Sequence, residues 1–393
     1  MKICFQTKAW GEGAGWFAQE LATGMAKAGG EIIYVAPYAV PAEREPQHSR
    51  ITRHVSHRER QSGSKIARVL SSLRRVMDGY IGCLKARSST RTYLFSISDP
   101  LPFFIPLQLA LAGLGARQFL IVHDAVPHSW VGLKKVPRLQ WLGLWTSYRL
   151  ATHLIATTRD CRDLLHARFG VPHRRISVLP LGAFDIGTPT DLPGQGNLLI
   201  FGSLRRNKRV LESIQAVQLC RQRGAPVTLT IAGGLDRADP PYWRECETQI
   251  ATAPDGITSE IGFVPDERIP ELIGQCDAVL LPYRDFSSAS AVAILMATSQ
   301  RPLIATSTGG IRDLFELGMS GIPLAENADV EAIADAIGAF FGRPISEWNV
   351  EAAASRDILL RELSWTTIGH RCIEIMRPDG PTNSSRPRSK NSS

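Results

Sequence analysis

Short apolar runs of four to six residues alternate with stretches of helical period along this 393-residue chain, and they do so twice. In the first half the runs fall at 3–7, 31–36, 93–97, 118–122, 153–157 and 176–179. In the second they fall at 197–201, 227–232, 257–261, 278–281 and 302–305. Runs this short and this continuously apolar suit strands covered on both faces, the habit of parallel sheets. Helical spacing between them, at 16–28, 64–87, 139–150 and 159–168 and then at 241–253, 266–274, 290–298 and 311–316, supplies the crossovers. The pattern predicts an α/β chain of two doubly wound, Rossmann-like domains, and the length suits two cores. The boundaries expected are 1–186 for the first domain, a linker at 187–196 (GTPTDLPGQG), and 197–376 for the second, closed by a last helical stretch at 350–376. Residues 377–393, rich in Pro, Ser and Lys/Arg, read as a disordered basic tail.

In open α/β sheets ligands sit at the carboxyl ends of the strands. One such end stands out. The run NLLIF at 197–201 stops at Gly202, a basic loop follows, and helical spacing resumes near Lys208 with Val210, Ile214 and Val217. A glycine turn lets backbone come close to a ligand, and a helix N-terminus attracts anions. Arg205 offers a two-pronged fork for phosphate oxygens and Lys208 a point charge. A strand–helix turn with solvated charges would look the same. In the first half, Gly11, Gly13 and Gly15 form a loop before a helix expected from Trp16. Their spacing is close to a dinucleotide fingerprint, yet the next strand runs into Pro37 with no acidic residue for a ribose.

Charge is uneven. Residues 1–192 carry 25 Lys+Arg against 13 Asp+Glu, and the remainder 20 against 24. A basic half points to an anionic surface or polymer. Within it, 64–87 can form a helix with Ile66, Val69, Leu70, Leu73, Val76, Tyr80 and Leu84 on one face. Lys65, Arg68, Arg74, Arg75 and Lys85 lie largely elsewhere on it. That face either packs on the sheet or lies on an anionic membrane. Nucleic acid is not expected, because aromatic residues do not interleave the basic run. The first residues show no basic head and apolar core of a signal peptide. The longest apolar region, 101–116, is broken by Pro106 and Gln108 and is too short to span a bilayer. Seven scattered cysteines without metal-ligand pairing suit reduced thiols in a cytoplasmic protein.

Taken in order, the motifs resemble those of GT-B glycosyltransferases, most of all the retaining enzymes of family 4. They are the glycine loop, VHD at 122–124, VLPLGAF at 178–184, FGSLRRNK at 201–208, IGFVPDERIPEL at 261–272, LLPYR at 280–284 and RPLIATSTGGIRDL at 301–314. The resemblance covers nearly the whole chain to about Met376. It implies two domains facing each other across a cleft, the first for the acceptor and the second for a nucleoside diphosphate sugar. It assigns the diphosphate to Gly202, Arg205 and Lys208, a sugar hydroxyl to His123, the acceptor side to Asp124, and the base edge to the backbone of Phe263 and Val264. The family's usual arginine directly after the glycine is Ser203 here, so Arg205 takes its place. The family's two glutamates, eight residues apart, fall on Ser287 and Leu295. This chain instead is close to a pattern seen in bacterial exopolysaccharide enzymes, through Tyr283, Ser288 and Ser290, with Ala291 where that pattern has glycine. Ser288 and Ser290 can cap the next helix and bind phosphate.

The function expected is transfer of a sugar, with retention, to a lipid-linked or polysaccharide glycan, by a cytoplasmic protein in peripheral contact with the inner face of the cell membrane. Fixed cations can stabilise a departing diphosphate, so no metal or other cofactor is expected. Three other readings stay open: a sugar-nucleotide epimerase, a non-catalytic partner of a transferase, and a nucleic-acid-binding protein.

Overall fold

The structure, a computed structural model, describes residues 1–8, 12–37, 47–56, 64–96, 101–126, 137–184, 189–236 and 239–378. The chain divides into two compact units, residues 1–182 with 365–393, and residues 183–364.

In the first unit the elements run β1 (Lys2–Gln6), α1 (Glu12–Lys27), β2 (Glu31–Pro37), β3 (Ile51–Ser56), α2 (Lys65–Ala86), β4 (Thr92–Phe95), α3 (Leu101–Gly113), β5 (Arg117–Val122), α4 (Pro137–Leu150), β6 (His153–Ala156), α5 (Arg159–Phe169) and β7 (Ile176–Val178). The strands form one parallel sheet in the order β3-β2-β1-β4-β5-β6-β7 among the described residues. The order reverses between β1 and β4. Right-handed crossovers put α1 on one face of this sheet and α2 to α5 on the other. Between the sheet and α2 to α5 lies a core that includes Tyr93, Phe95, Phe104, Leu107, Leu120 and Val122.

Helix α2 keeps most of its long apolar side chains off the sheet. It meets the sheet through small residues: Ser71, Gly79, Gly82, Cys83 and Ala86 are buried. A Cβ on Gly82 would stand 2.4 Å from the His54 ring, so the backbone itself lies against β3. Val76 is buried and Tyr80 half-buried, whereas Ile66, Val69, Leu70, Leu73 and Leu84 face solvent.

The second unit runs β8 (Asn197–Phe201), α6 (Val210–Gln222), β9 (Thr228–Gly233), α7 (Pro240–Thr252), β10 (Ile257–Ile261), α8 (Ile269–Gln275), β11 (Ala278–Leu281), α9 (Ala291–Thr298), β12 (Leu303–Thr306), α10 (Gly309–Leu317), β13 (Gly321–Leu324), α11 (Val330–Phe341) and α12 (Ile345–Glu362). Its parallel sheet has the order β10-β9-β8-β11-β12-β13 among the described residues, with the reversal between β8 and β11.

The expected boundaries need two corrections. The stretch read as a linker is stitched into the second unit. Buried Asp277 accepts backbone N–H groups of Gln195 at 3.0 Å and Asn197 at 2.9 Å, and of Gly194. Buried Arg301 donates to Thr190 O at 2.7 Å and Ile273 O at 2.7 Å. At the other end, 350–376 is two helices. The second, α13 (Trp365–Met376), belongs to the first unit and packs on α1. Glycines make that crossing so close that a Cβ on Gly369 would stand 2.2 Å from the Gly24 carbonyl carbon, inside contact distance. Apart from residues 377 and 378, the expected tail lies outside the described residues.

Candidate functional site

The reversal of strand order in the second sheet is where its loops converge. Strand β8 leaves the sheet at Gly202 with φ +102°, and β9 ends at Gly233 with φ +149°. A Cβ on Gly233 would stand 1.8 Å from Gly202 O, so only glycine fits between these two exits. The basic loop follows. Its four cations have distinct fates. Arg206 binds Asp239 at 2.9 Å and both oxygens of Glu245 at 2.8 and 2.7 Å, and lies over the Tyr242 ring. Arg209 is buried, donating to Ala328 O at 2.6 Å and Glu212 at 3.1 Å, which holds it in the left-handed region at φ 56°. These two are scaffold. Arg205 is exposed and bonded to no carboxylate among the described residues. Lys208 turns its ammonium over the Tyr283 ring, 5.3 Å from the centroid.

The helix expected near Lys208 starts later, at Val210, after a 3₁₀ turn over Arg206–Lys208. Its N-terminus is poorly suited to an anion, since the Leu211 N–H already bonds Tyr242 Oη at 3.1 Å and Glu212 sits in its first turn. The first turn of α9 takes its place. A Cβ on Gly202 would stand 3.3 Å from Val292 Cγ2 and 3.6 Å from Lys208 Nζ. So the ammonium, the glycine exit and the start of α9 share one spot. Ser290 caps α9, its Oγ accepting the Ala293 N–H at 3.1 Å, and leaves the N–H groups of Ala291 and Val292 at the helix mouth. Ser288 is buried, and its carbonyl accepts the Gly310 N–H at 3.0 Å, tying α9's approach to α10. The Arg284 N–H donates to Asn207 O at 2.8 Å and joins this loop to the basic one.

Phe263 lies at the end of β10, one residue after Gly262, whose N–H bonds Gly233 O at 3.0 Å. Its ring is 88% exposed, and Val264 is half-buried.

In the first unit, His123 follows β5. Its ring stands edge-on to Phe17 of α1 at 4.8 Å, and its carbonyl accepts the Thr157 hydroxyl at 3.3 Å. Burial pushes its pKa down to about 4, against a smaller upward pull from Asp124, so the imidazole is neutral near pH 7. Its Nε2 is buried without a partner. Asp124 is half-buried beside it. Gly13 and Gly15 are not in a loop: α1 begins at Glu12, so they lie in its opening turns, and Gly11 lies outside the described residues.

Sequence reasoning picked out His123 and Tyr283 but missed three other polar strand ends, Gln6, Ser96 and Thr306. Of nine buried side-chain polar atoms without a partner among the described residues, five sit at the carboxyl ends of strands: Gln6 on β1, Ser96 after β4, His123 after β5, Tyr283 after β11 and Thr306 on β12. Each unmet group costs about 1–3 kcal/mol, a cost a bound polar ligand would relieve. Gln6, Ser96 and Thr306 had a readable signal, a polar residue closing an otherwise apolar run (KICFQ, TYLFS, LIAT). Among the described residues no three His, Cys, Asp or Glu come together as a possible metal site.

Known proteins share the fold. Over 95% of this chain and 99% of the other, the structure is similar to HepE of Anabaena in complex with UDP, with a TM-score of 0.67 and 17% identity. It is similar to a glycosyltransferase of Rickettsia africae over 95% of this chain and 97% of that one, TM-score 0.65, 15% identity. At such identities the likeness shows the fold, two Rossmann-like domains of the GT-B kind. By sequence, the alpha-D-kanosaminyltransferase of Streptomyces kanamyceticus is 26% identical over 190 residues, 44% of this chain. The match spans 47% of that relative, about half its length. Two family models tile the chain, "Glycosyltransferase Family 4" over residues 11–183 and "Glycosyl transferases group 1" over residues 195–342. With one model on each half, the chain carries a family 4 glycosyltransferase domain followed by a group 1 glycosyltransferase domain.

Proposed function

We propose that this chain transfers a sugar from a nucleoside diphosphate sugar, with retention, to a lipid-linked or polysaccharide glycan at the cytoplasmic face of a membrane. The observation that supports it most is the meeting of Gly202, Lys208 Nζ and the first turn of α9 where the second sheet reverses its order. As the bond from the anomeric carbon to the diphosphate oxygen breaks, its electron pair stays on the diphosphate. The charge that grows there needs fixed positive groups. In this reading Lys208, Arg205 and the N–H groups of Ala291 and Val292 supply them, and no metal is called for. Ser290 holds the mouth of α9 open to the phosphate where the family's first glutamate pattern is absent. Phe263 and Val264 present their backbone to the base. In the first unit neutral His123 hydrogen-bonds a sugar hydroxyl, and Asp124 borders the acceptor. HepE was solved with UDP and with UDP-glucose, which makes uridine nucleotides the first donors to try.

The test is a thermal-shift screen against UDP, GDP, ADP and their sugar conjugates. A ligand at about a hundred times its Kd adds about 2.7 kcal/mol to the unit that binds it, a rise of roughly 5 °C or more. The best nucleotide sugar is then incubated with a membrane glycan extract, and the product anomer is read by NMR. If no nucleoside diphosphate raises the melting temperature, the proposal fails; an inverted product would remove retention alone.

A further inference from the structure

We infer that the outer face of α2, continued by α3 and α4, is a docking surface for an anionic lipid bilayer. The inference rests on the transferase reading only for its purpose, delivery of a lipid-linked acceptor, and not for its evidence.

The evidence is an apolar stripe on the wrong side of a helix for a core. On α2, Ile66 is 72% exposed, Val69 60%, Leu70 61%, Met77 54%, Ile81 42% and Leu84 41%, with Leu73 at 38%. At 100° per residue these positions fall within an arc of about 120°, so they form one continuous band along the helix. The opposite side of α2 is filled by Gly79, Gly82, Cys83 and Ala86 against the sheet. Its side chains are too small to have been the intended core face by hydropathy, and their smallness is what brings the backbone down onto β3. The band is therefore built to point outward. Single exposed leucines are ordinary; a band of seven is a contact surface.

The neighbouring helices extend it. Helix α3 packs beside both α2 and α4. It exposes Phe103 and Leu109, and α4 exposes Leu139, Leu142, Trp141 and Trp145. Tryptophans half out of the protein, one of them under the Arg149 guanidinium at 4.2 Å, suit the boundary between headgroups and acyl chains.

Charge decides between occupants. Helix α2 carries Lys65, Arg68, Arg74, Arg75 and Lys85 against one acid, Asp78. Arg68, Arg74 and Lys85 are exposed. A second copy laid on the band would bring these cations against their own kind. An anionic leaflet complements them while taking up the band. A groove of about 550 Å³ between α2 and α3 repeats the arrangement on a smaller scale: Val69, Leu73, Val76 and Phe103 line it, with Arg68 and Arg75 among them. An acyl chain fits the apolar wall and its phosphate the arginines. Among the described residues no helix is long and apolar enough to cross a membrane, so the contact inferred is peripheral.

The experiment is flotation of the full chain with phosphatidylcholine vesicles, with and without phosphatidylglycerol, at low and high salt. Two variants are compared, Leu70→Glu with Met77→Glu, and Arg74→Glu with Lys85→Glu. All four residues are exposed, so the fold should survive, and unchanged melting curves check this. Wild type should float with anionic vesicles, at least about tenfold more than with neutral ones, and high salt should release most of it. Each variant should lose at least about tenfold of that binding. Equal recovery on both vesicle types, or variants that float like wild type, overturns the inference. So does a wild-type dimer by light scattering that Leu70→Glu with Met77→Glu makes monomeric, since the band would then be covered by a second copy. Nucleoside diphosphate binding, measured without vesicles, is expected to be the same in wild type and variants. A wild type that binds nucleotide but does not float with anionic vesicles defeats the docking surface alone; a wild type that floats without any nucleotide binding defeats the transferase reading alone.

Discussion

Mild acid should destabilise the first unit through two histidines. His123 and His153 both have pKa values pushed down to about 4, in each case mainly by burial; for His153 the nearby Arg175 and Arg117 push the same way. In the unfolded chain a histidine titrates near 6.5. Between pH 6.5 and 4 the unfolded state therefore takes up a proton that the folded state refuses. Stability is level above 6.5, falls as the pH drops through that window, and levels again below 4. The slope is at most about 1.4 kcal/mol per pH unit for each histidine, which integrates to about 2 kcal/mol each between pH 8 and pH 5. Urea unfolding at those two pH values measures it. His153→Gln keeps a partner for Ser177 Oγ, now 2.9 Å from the ring, while removing the titration. It should lose about 2 kcal/mol less than wild type on going to pH 5. His123→Gln should do the same, which checks the residue assigned to a sugar hydroxyl. Carboxylates that also titrate cancel in the difference. If wild type and His153→Gln lose the same stability, the neutral buried histidines are not what the acid acts on.

Three further outcomes are expected. Asp277→Ala should cost about 3 kcal/mol or more by urea unfolding, because it leaves the N–H groups of Gly194, Gln195 and Asn197 without their acceptor; a loss under 1 kcal/mol would show those bonds to be dispensable. Gly369→Val should lower the melting temperature of the first unit by roughly 8 °C or more, since the new carbon would enter the backbone of Gly24, whereas the exposed Gly113→Ala should not. Phe263→Ala should leave stability within about 0.5 kcal/mol because the ring is exposed, and should keep the base preference if backbone groups read the base; a changed preference would assign that reading to the ring.

Much of the fold was legible because hydropathy reports its main layers. The continuous apolar runs became β1, β5, β8 and β11, and the glycine after β8 marked the reversal point. Of the four edge strands, β7 and β10 were legible and β3 and β13 were not. β3 (ITRHVS) is half polar because one side meets solvent, and β13 (GIPL) carries a proline that only an edge tolerates. For α2 the period revealed a face but not its direction, since a packing surface of Gly, Cys and Ala scores as nothing on a hydropathy scale. The break between α12 and α13 falls at Leu363 and Ser364 with no proline or glycine to mark it, and the return to α1 is a matter of tertiary contact. At the candidate site, Arg205, Lys208 and His123 were readable by type and place. That Arg206 and Arg209 are scaffold was not, because their partners Asp239, Glu245 and Ala328 are far away in sequence.

The contrast between those cations is the sharpest test. Calorimetric titration of the nucleoside diphosphate that gives the largest thermal shift should be run on wild type, Lys208→Ala, Arg205→Ala and Arg206→Ala. If the reversal point of the second sheet holds the diphosphate, Lys208→Ala should weaken binding by about 1.5–3 kcal/mol, roughly tenfold or more, and Arg205→Ala in the same direction. Arg206→Ala should lower the melting temperature while leaving affinity within about twofold, since its charge is spent on Asp239 and Glu245. Unchanged affinity in Lys208→Ala, or a loss confined to Arg206→Ala, would contradict the account.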